Sequence, residues 1–186
     1  MLIYLITHPA TKVEKTNPNK WKISREGWKQ VKNLAKKRFW NDVEFIFAST
    51  ERKANNAAEY WSKKYKIPMK IVKGIEEVNN RKYLPEKELW KNIDLFFAEP
   101  SRNARGWETA NHCKERMINT MNKIIKKARK KHCKAIAIVS HGVVANLYIC
   151  NFKKIRANFS TGQKKIGSWI IIDAEKKKVL SSWQTY

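Results

Sequence analysis

Leu2-Ile3-Tyr4-Leu5-Ile6-Thr7-His8-Pro9 and Ala135-Ile136-Ala137-Ile138-Val139-Ser140-His141-Gly142 decide how this chain folds. Each is a short run of apolar, largely β-branched residues, followed by a small hydroxyl residue, a histidine, and then Pro or Gly. Apolar runs without polar interruption read as parallel strands buried on both faces. In open α/β sheets, ligands sit at the carboxyl ends of strands. The two histidines are therefore expected to face each other across one site. A neutral imidazole there can attack phosphorus, and a charged one can stabilise a phosphoryl group.

Between these runs, strand and helix patterns alternate. The first strand is expected over about Leu2 to Ile6. Ser24 reads as the N-cap of a helix with Glu26 in its first turn and Trp28, Val31, Leu34 and Ala35 on its core face. Val43 to Ala48 reads as a second strand, and Ser49 or Thr50 as the cap of a helix striped by Ala54, Ala57, Ala58, Trp61 and Tyr65. A short strand over Met69 to Val72 and an irregular polar segment over Glu76 to Leu84 follow. Pro85 starts a helix that runs to about Ala98. A long helix over about Glu108 to Lys131 turns Cys113, Met117, Met121, Ile124, Ile125 and Ala128 inward, ahead of the strand Ala135 to Val139. Gly142 to Cys150 reads as an apolar helix. Ser168 to Asp173 pairs with Val179 to Trp183 as a closing hairpin. The pattern predicts one α/β domain over residues 1–186, with three α/β/α layers and a mostly parallel central sheet.

Forty Lys and Arg against 16 Asp and Glu give a formal charge of +24. Such an excess attracts polyanions, so a nucleic-acid surface stays open. The lysines are spread along the whole chain, however, and no RNP-type, helix-turn-helix or zinc-finger signature accompanies them. Cys113, Cys133 and Cys150 are odd in number and lack CxxC spacing, which predicts neither a disulfide framework nor a zinc site. No apolar stretch approaches the roughly 20 residues that span a bilayer, and Met1 to Ile6 is too short for a signal-peptide core. A cytoplasmic protein is expected. Oligomeric state is not legible.

Two further junctions carry chemistry, and Gly142 adds to the second histidine run. Ser49-Thr50-Glu51-Arg52-Lys53-Ala54 follows a strand and places Arg52 and Lys53 in the first turn of a helix, where they can clamp a phosphate. Glu76-Glu77 follows the third strand and offers a general acid in one residue or the other. Gly142 lets the backbone at the start of a helix approach an anion closely.

Together these junctions resemble the histidine phosphatase superfamily, whose fold is phosphoglycerate-mutase-like. Thr7-His8-Pro9 stands where that superfamily has Arg-His-Gly, which implies His8 as the phospho-accepting nucleophile, and Thr11 falls on the Thr of the extended motif. Aligning Ala54 and Ala58 with the alanines of the second motif puts Lys53 on its phosphate-binding Arg. Ile75-Glu76-Glu77-Val78 implies Glu77 as the acid. Gly106-Trp107-Glu108-Thr109 resembles Gly-x-Glu-Ser, and Val139-Ser140-His141-Gly142-Val143 resembles the second histidine motif. Within the superfamily the likeness is greatest to a bacterial subgroup with Thr-His-Pro and Ser-x-Glu-Arg-Lys-Ala. Members of that subgroup also carry segments like Leu84-Pro85-Glu86-Lys87-Glu88-Leu89 and Phe96-Phe97-Ala98-Glu99-Pro100.

The resemblance implies a phosphatase without metal or other cofactor, acting on a phosphorylated small molecule or phosphoprotein. His8, His141 and Glu77 would be catalytic, and Lys53, Arg52, Thr7, Thr11 and Gly142 would hold phosphate. Thr7 and Lys53 in place of two arginines leave a second reading open, a weakly active or inactive anion-binding module on the same fold. Arg52 or Arg81 would be the nearest replacements for the missing guanidinium.

Overall fold

The computed structural model describes residues 1–78, 82–163 and 165–186. In chain order the elements are β1 (Leu2–Thr7), α1 (Arg25–Leu34), β2 (Val43–Ser49), α2 (Arg52–Tyr65), β3 (Met69–Val72), α3 (Glu86–Ala98), α4 (Ala110–Lys130), β4 (Ala135–Ser140), α5 (Gly142–Lys153), β5 (Ser168–Asp173), β6 (Lys178–Val179) and β7 (Gln184–Thr185). They form one seven-stranded sheet in the order β3-β2-β4-β1-β5-β6, with β7 on β5. β3, β2, β4 and β1 are mutually parallel, and β5 runs antiparallel to β1.

Side chains alternate across the sheet with the period of two that a strand imposes. Ile3, Leu5, Phe47, Ile136 and Ile138 face α3, α4 and α5, while Tyr4, Ile6, Ala48, Ala137 and Val139 face α1 and α2. Every residue of β4 is buried. Each fully buried Ile or Leu contributes about 1.5–3 kcal/mol, so covering the sheet on both faces is the main reason the chain folds as three layers.

The helix ends follow local chemistry. Ser24 caps α1 by accepting the Gly27 N–H at 3.0 Å, and Thr109 caps α4 by accepting that of His112 at 3.1 Å. Two expectations need correction. The N-cap of α2 is Glu51, because Ser49 completes β2 and turns its hydroxyl into the site described below. Val179 to Trp183 is not one strand. At Ser181 the side-chain oxygen, not the backbone, accepts the Ile171 N–H at 3.0 Å, and the chain rejoins the sheet only at β7.

The register fixes the functional edge. Thr7 stands opposite Ser140, and the ladder continues from the His8 N–H to the Ser140 carbonyl at 2.9 Å. His8 and His141 therefore leave the same edge side by side, flanked by the end of β2.

Candidate active site

The imidazole rings of His8 and His141 lie 5.2 Å apart between centroids. His8 Nδ1 is 2.8 Å from the Pro9 carbonyl. A carbonyl only accepts, so Nδ1 carries the proton and Nε2 keeps a free lone pair. Burial, then the charge of Lys53 and the neighbouring His141, hold the His8 pKa well below the ordinary histidine value. His8 is thus a neutral imidazole at neutral pH, with one nitrogen available as a nucleophile. Directly behind it, the buried Tyr186 hydroxyl donates to the Thr7 carbonyl at 2.5 Å. Burial keeps that phenol protonated.

His141 is fully buried. Its Nε2 lies 2.8 Å from Ser49 Oγ and 3.7 Å from Glu51 Oε1, while Nδ1 has no hydrogen-bond partner among the described residues. Desolvation, reinforced by Lys53 and Arg116, lowers its pKa well below normal.

Glu77 enters from the loop after β3. Its Oε2 accepts the Val143 N–H at 3.2 Å and its Oε1 accepts that of Val144 at 3.2 Å, so the carboxylate sits on the N-terminal turn of α5. The sequence reading reserves those N–H groups for a bound anion, whereas Glu77 takes two of them. Burial and the nearby Glu51 carboxylate raise the Glu77 pKa against the effect of these hydrogen bonds. Glu76 turns away: its oxygens accept from Thr50 Oγ1 at 2.9 Å and the Gly74 N–H at 2.6 Å. Gly74 has φ +104°, and a Cβ there would stand 2.1 Å from Thr120 Oγ1, so this turn requires glycine.

Lys53 is buried. Its Nζ contacts Glu51 Oε2 at 2.5 Å and the Pro18 carbonyl at 3.2 Å. Its charge reaches both histidines. Arg52, one residue earlier and about 100° around the helix, is exposed in a separate cleft with Asn19, Lys20, Asn55 and Asn56. It is not brought to the histidines. Arg81 lies outside the described residues.

A cavity of about 220 Å³ opens over this edge. Its walls are His8, Glu77, Gly142, Asn146, Gln163 and Lys165 with the apolar Trp90, Ile93, Phe97, Val143 and Ile166. Gly142 is matched to the wall, since a Cβ would stand 2.7 Å from Gln163 Nε2. Thr7 and Thr11 are not on it. Thr7 is 0% exposed, and its hydroxyl is engaged by Ser168 N and O at 3.0 Å each and by Gln163 at 2.5 Å. Thr11 is held in a β-bridge with Ile23. The Thr7 hydroxyl serves the scaffold, tying β1 to Ser168 and Gln163, and the Thr11 backbone is held by its bridge to Ile23.

Four residues absent from the expected set complete the arrangement. Glu51 joins Lys53 to the Glu77 N–H, which it accepts at 2.8 Å. Ser49 orients His141, and Gln163 bridges Thr7 to the cavity wall. Arg116 grips Glu108 with Nε at 3.1 and 2.9 Å and with Nη2 at 2.5 Å. It also donates to the carbonyls of Gly74, Glu76 and Glu77 at 3.1, 3.0 and 3.0 Å. The available signal was Glu108 just ahead of the N-cap Thr109, with Arg116 in the second turn of α4.

Among the described residues no cluster of three His, Cys, Asp or Glu could hold a metal ion. No described helix is long and apolar enough to cross a membrane.

No match is found among curated proteins. Solved structures give the fold. Bacillus stearothermophilus YhfR superposes with TM-score 0.79 at 20% identity, covering 96% of this chain and 94% of that one. A mycobacterial glucosyl-3-phosphoglycerate phosphatase gives 0.76 at 12% identity over 98% and 95%. The alpha-ribazole phosphatase from Shigella flexneri gives 0.71 at 20% identity over 98% and 96%. The sequence profile of the histidine phosphatase superfamily (branch 1) matches residues 3–184. Two histidines at adjacent strand ends, a carboxyl across from them and a profile that spans nearly every element lead to one conclusion: this chain belongs to the histidine phosphatase superfamily, branch 1.

Proposed function

We propose that this protein hydrolyses a phosphomonoester through a phosphohistidine on His8. The observation that carries the reading is the pinned tautomer of His8, neutral and with Nε2 unencumbered beside a cavity that Glu77 also lines. Nε2 attacks phosphorus and the P–O bond to the leaving alcohol breaks. Glu77, kept protonated to higher pH than an ordinary carboxyl, gives its proton to that oxygen. The resulting carboxylate takes a proton from water as the water oxygen attacks the phosphohistidine, which releases phosphate and restores both groups. Lys53, whose charge reaches His8 and His141, would stabilise the charge that develops on the phosphoryl oxygens, and the unpartnered His141 Nδ1 is a further candidate to meet it.

Trp90, Ile93, Phe97, Val143 and Ile166 on the cavity wall favour a small substrate whose alcohol portion is at least partly apolar. Three free cysteines favour a reducing, cytoplasmic setting. One observation favours the second reading, anion binding without turnover: among the described residues no guanidinium hydrogen-bonds to either histidine, and Lys53, whose charge reaches both, is already paired with Glu51. A screen of phosphomonoesters on wild type beside His8→Ala separates the two. Turnover that needs His8 supports hydrolysis, and phosphate binding without turnover supports the module.

A further inference from the structure

The charged groups nearest the histidines hold one another. The side chains of Lys53 and Glu51 are 5% and 2% exposed and meet at 2.5 Å. The remaining Glu51 oxygen accepts the Glu77 N–H at 2.8 Å and lies 3.7 Å from His141 Nε2. Burying two ions is tolerated when each compensates the other, and an unpaired one is strongly disfavoured. Among the described residues the other cations of this region are Arg52, which is exposed, Arg116, which is engaged by Glu108 and three loop carbonyls, and Lys165 on the cavity wall. One buried polar atom in this cluster stands unsatisfied, His141 Nδ1. Buried polar atoms are rarely left so unless something else completes them.

Glu51 offers Lys53 what a phosphoryl group would offer, an anionic oxygen that accepts N–H donors. An ammonium has three such donors and no fixed fork, so it can pass from one anion to another by small rotations of its stem. We infer that Glu51 is an internal counter-anion of the phosphoryl site, holding Lys53 until a phosphoryl group replaces it, and so a residue that sets how tightly the site takes anions. The inference rests on reading the His8 edge as a phosphoryl site. The Lys53–Glu51 pair then carries no net charge at rest, and an anion gains Lys53 only by competing with the carboxylate beside it.

The test is calorimetric titration of the full chain with inorganic phosphate, comparing wild type, Glu51→Gln and the double variant Glu51→Gln/Lys53→Met. Glutamine keeps an acceptor for the Glu77 N–H and removes the charge. Glu51→Gln is expected to bind phosphate at least tenfold more tightly than wild type, and the double variant to lose that gain. Should Glu51→Gln be too unstable to titrate, the rise in its unfolding temperature with phosphate is compared with that of wild type, and the larger rise is expected in the variant. Equal or weaker binding by Glu51→Gln overturns the counter-anion role while leaving the phosphoryl site standing. A gain that persists without Lys53 also overturns it. Absence of phosphate binding in all three proteins overturns the phosphoryl site itself, and the counter-anion role with it.

Discussion

Arg116 holds Glu77 by its backbone and leaves its carboxyl group alone. The guanidinium donates to the Glu77 carbonyl at 3.0 Å, while the carboxylate points to the Val143 and Val144 N–H groups on the first turn of α5. The loop is thus fixed at one end by a cation on α4, and its acidic head is placed by another helix. This division lets the carboxyl titrate without the direct ion pair that would lower its pKa.

Arg116 is therefore expected to matter for rate through position. Arg116→Met takes one donor from Glu108, which keeps His112 at 2.9 Å, and removes the Arg116 donor from three loop carbonyls, so a loss of about 3 kcal/mol is expected in urea unfolding. Turnover should fall more than substrate affinity. Arg116→Lys should not restore it, since one ammonium cannot reproduce the fork. Full activity in Arg116→Lys would remove the positioning role.

Thr7→Arg, which would install the superfamily's residue beside the nucleophile, is expected to damage the fold. Thr7 is 0% exposed and its hydroxyl is bound at both Ser168 backbone groups. A guanidinium there would be an unpaired buried charge, at a cost of several kcal/mol. Thr7→Ser keeps the hydroxyl and should cost about 1 kcal/mol or less. Thermal unfolding of the two variants checks this; a stable Thr7→Arg with tighter phosphate binding would show that the pocket has room for the missing cation.

The pH profile follows from two opposite shifts. His8 must be neutral to attack, and its pKa lies well below the ordinary histidine value, so activity should persist into mildly acidic solution. Glu77 must be protonated to act as acid, and its pKa is raised above 4.5, so the rate should decline as pH rises through that raised value. Glu77→Gln should cut hydrolysis of alkyl phosphates about 10²–10⁴-fold and slow nitrophenyl phosphate much less, because that leaving group needs no proton. For stability the sign is also fixed. The unfolded His8 binds a proton below about pH 6.5 that the folded one refuses, so stability falls as pH drops below that value, by up to about 1.4 kcal/mol per unit per group. His8→Gln should flatten that slope, and an unchanged slope would mean that His8 is readily protonated in the fold.

What could be read from the chain, and what could not, has a physical pattern. The strands announced themselves because parallel strands covered on both faces admit no polar residue, and His8 and His141 stood out because they end those runs. Lys53 was set apart from Arg52 by the resemblance alone, through the alignment of Ala54 and Ala58 with the second motif, and the fold buries Lys53 while it leaves Arg52 exposed. Glu51 was invisible as a site residue: a carboxylate between a strand and a helix reads as solvated, and only the fold shows it buried on Lys53. Thr7 stands apart from the cavity because its hydroxyl is taken by Ser168 and Gln163, partners far along the chain that spacing does not encode. Two short strands, Lys178–Val179 and Gln184–Thr185, stand where one over Val179 to Trp183 is expected, because nothing in the composition marks the side-chain substitution at Ser181.

The central claim is a covalent bond between phosphorus and His8. The most direct measurement is mass spectrometry of peptides from the full-length protein after brief reaction with a phosphodonor and an alkaline quench, which preserves phosphohistidine. One phosphoryl group on the peptide carrying His8 is expected in wild type, accumulating further in Glu77→Gln as water activation slows and absent in His8→Ala together with turnover. Phosphoester hydrolysis by His8→Ala within tenfold of wild type, or labelling at another residue in its place, would contradict the account.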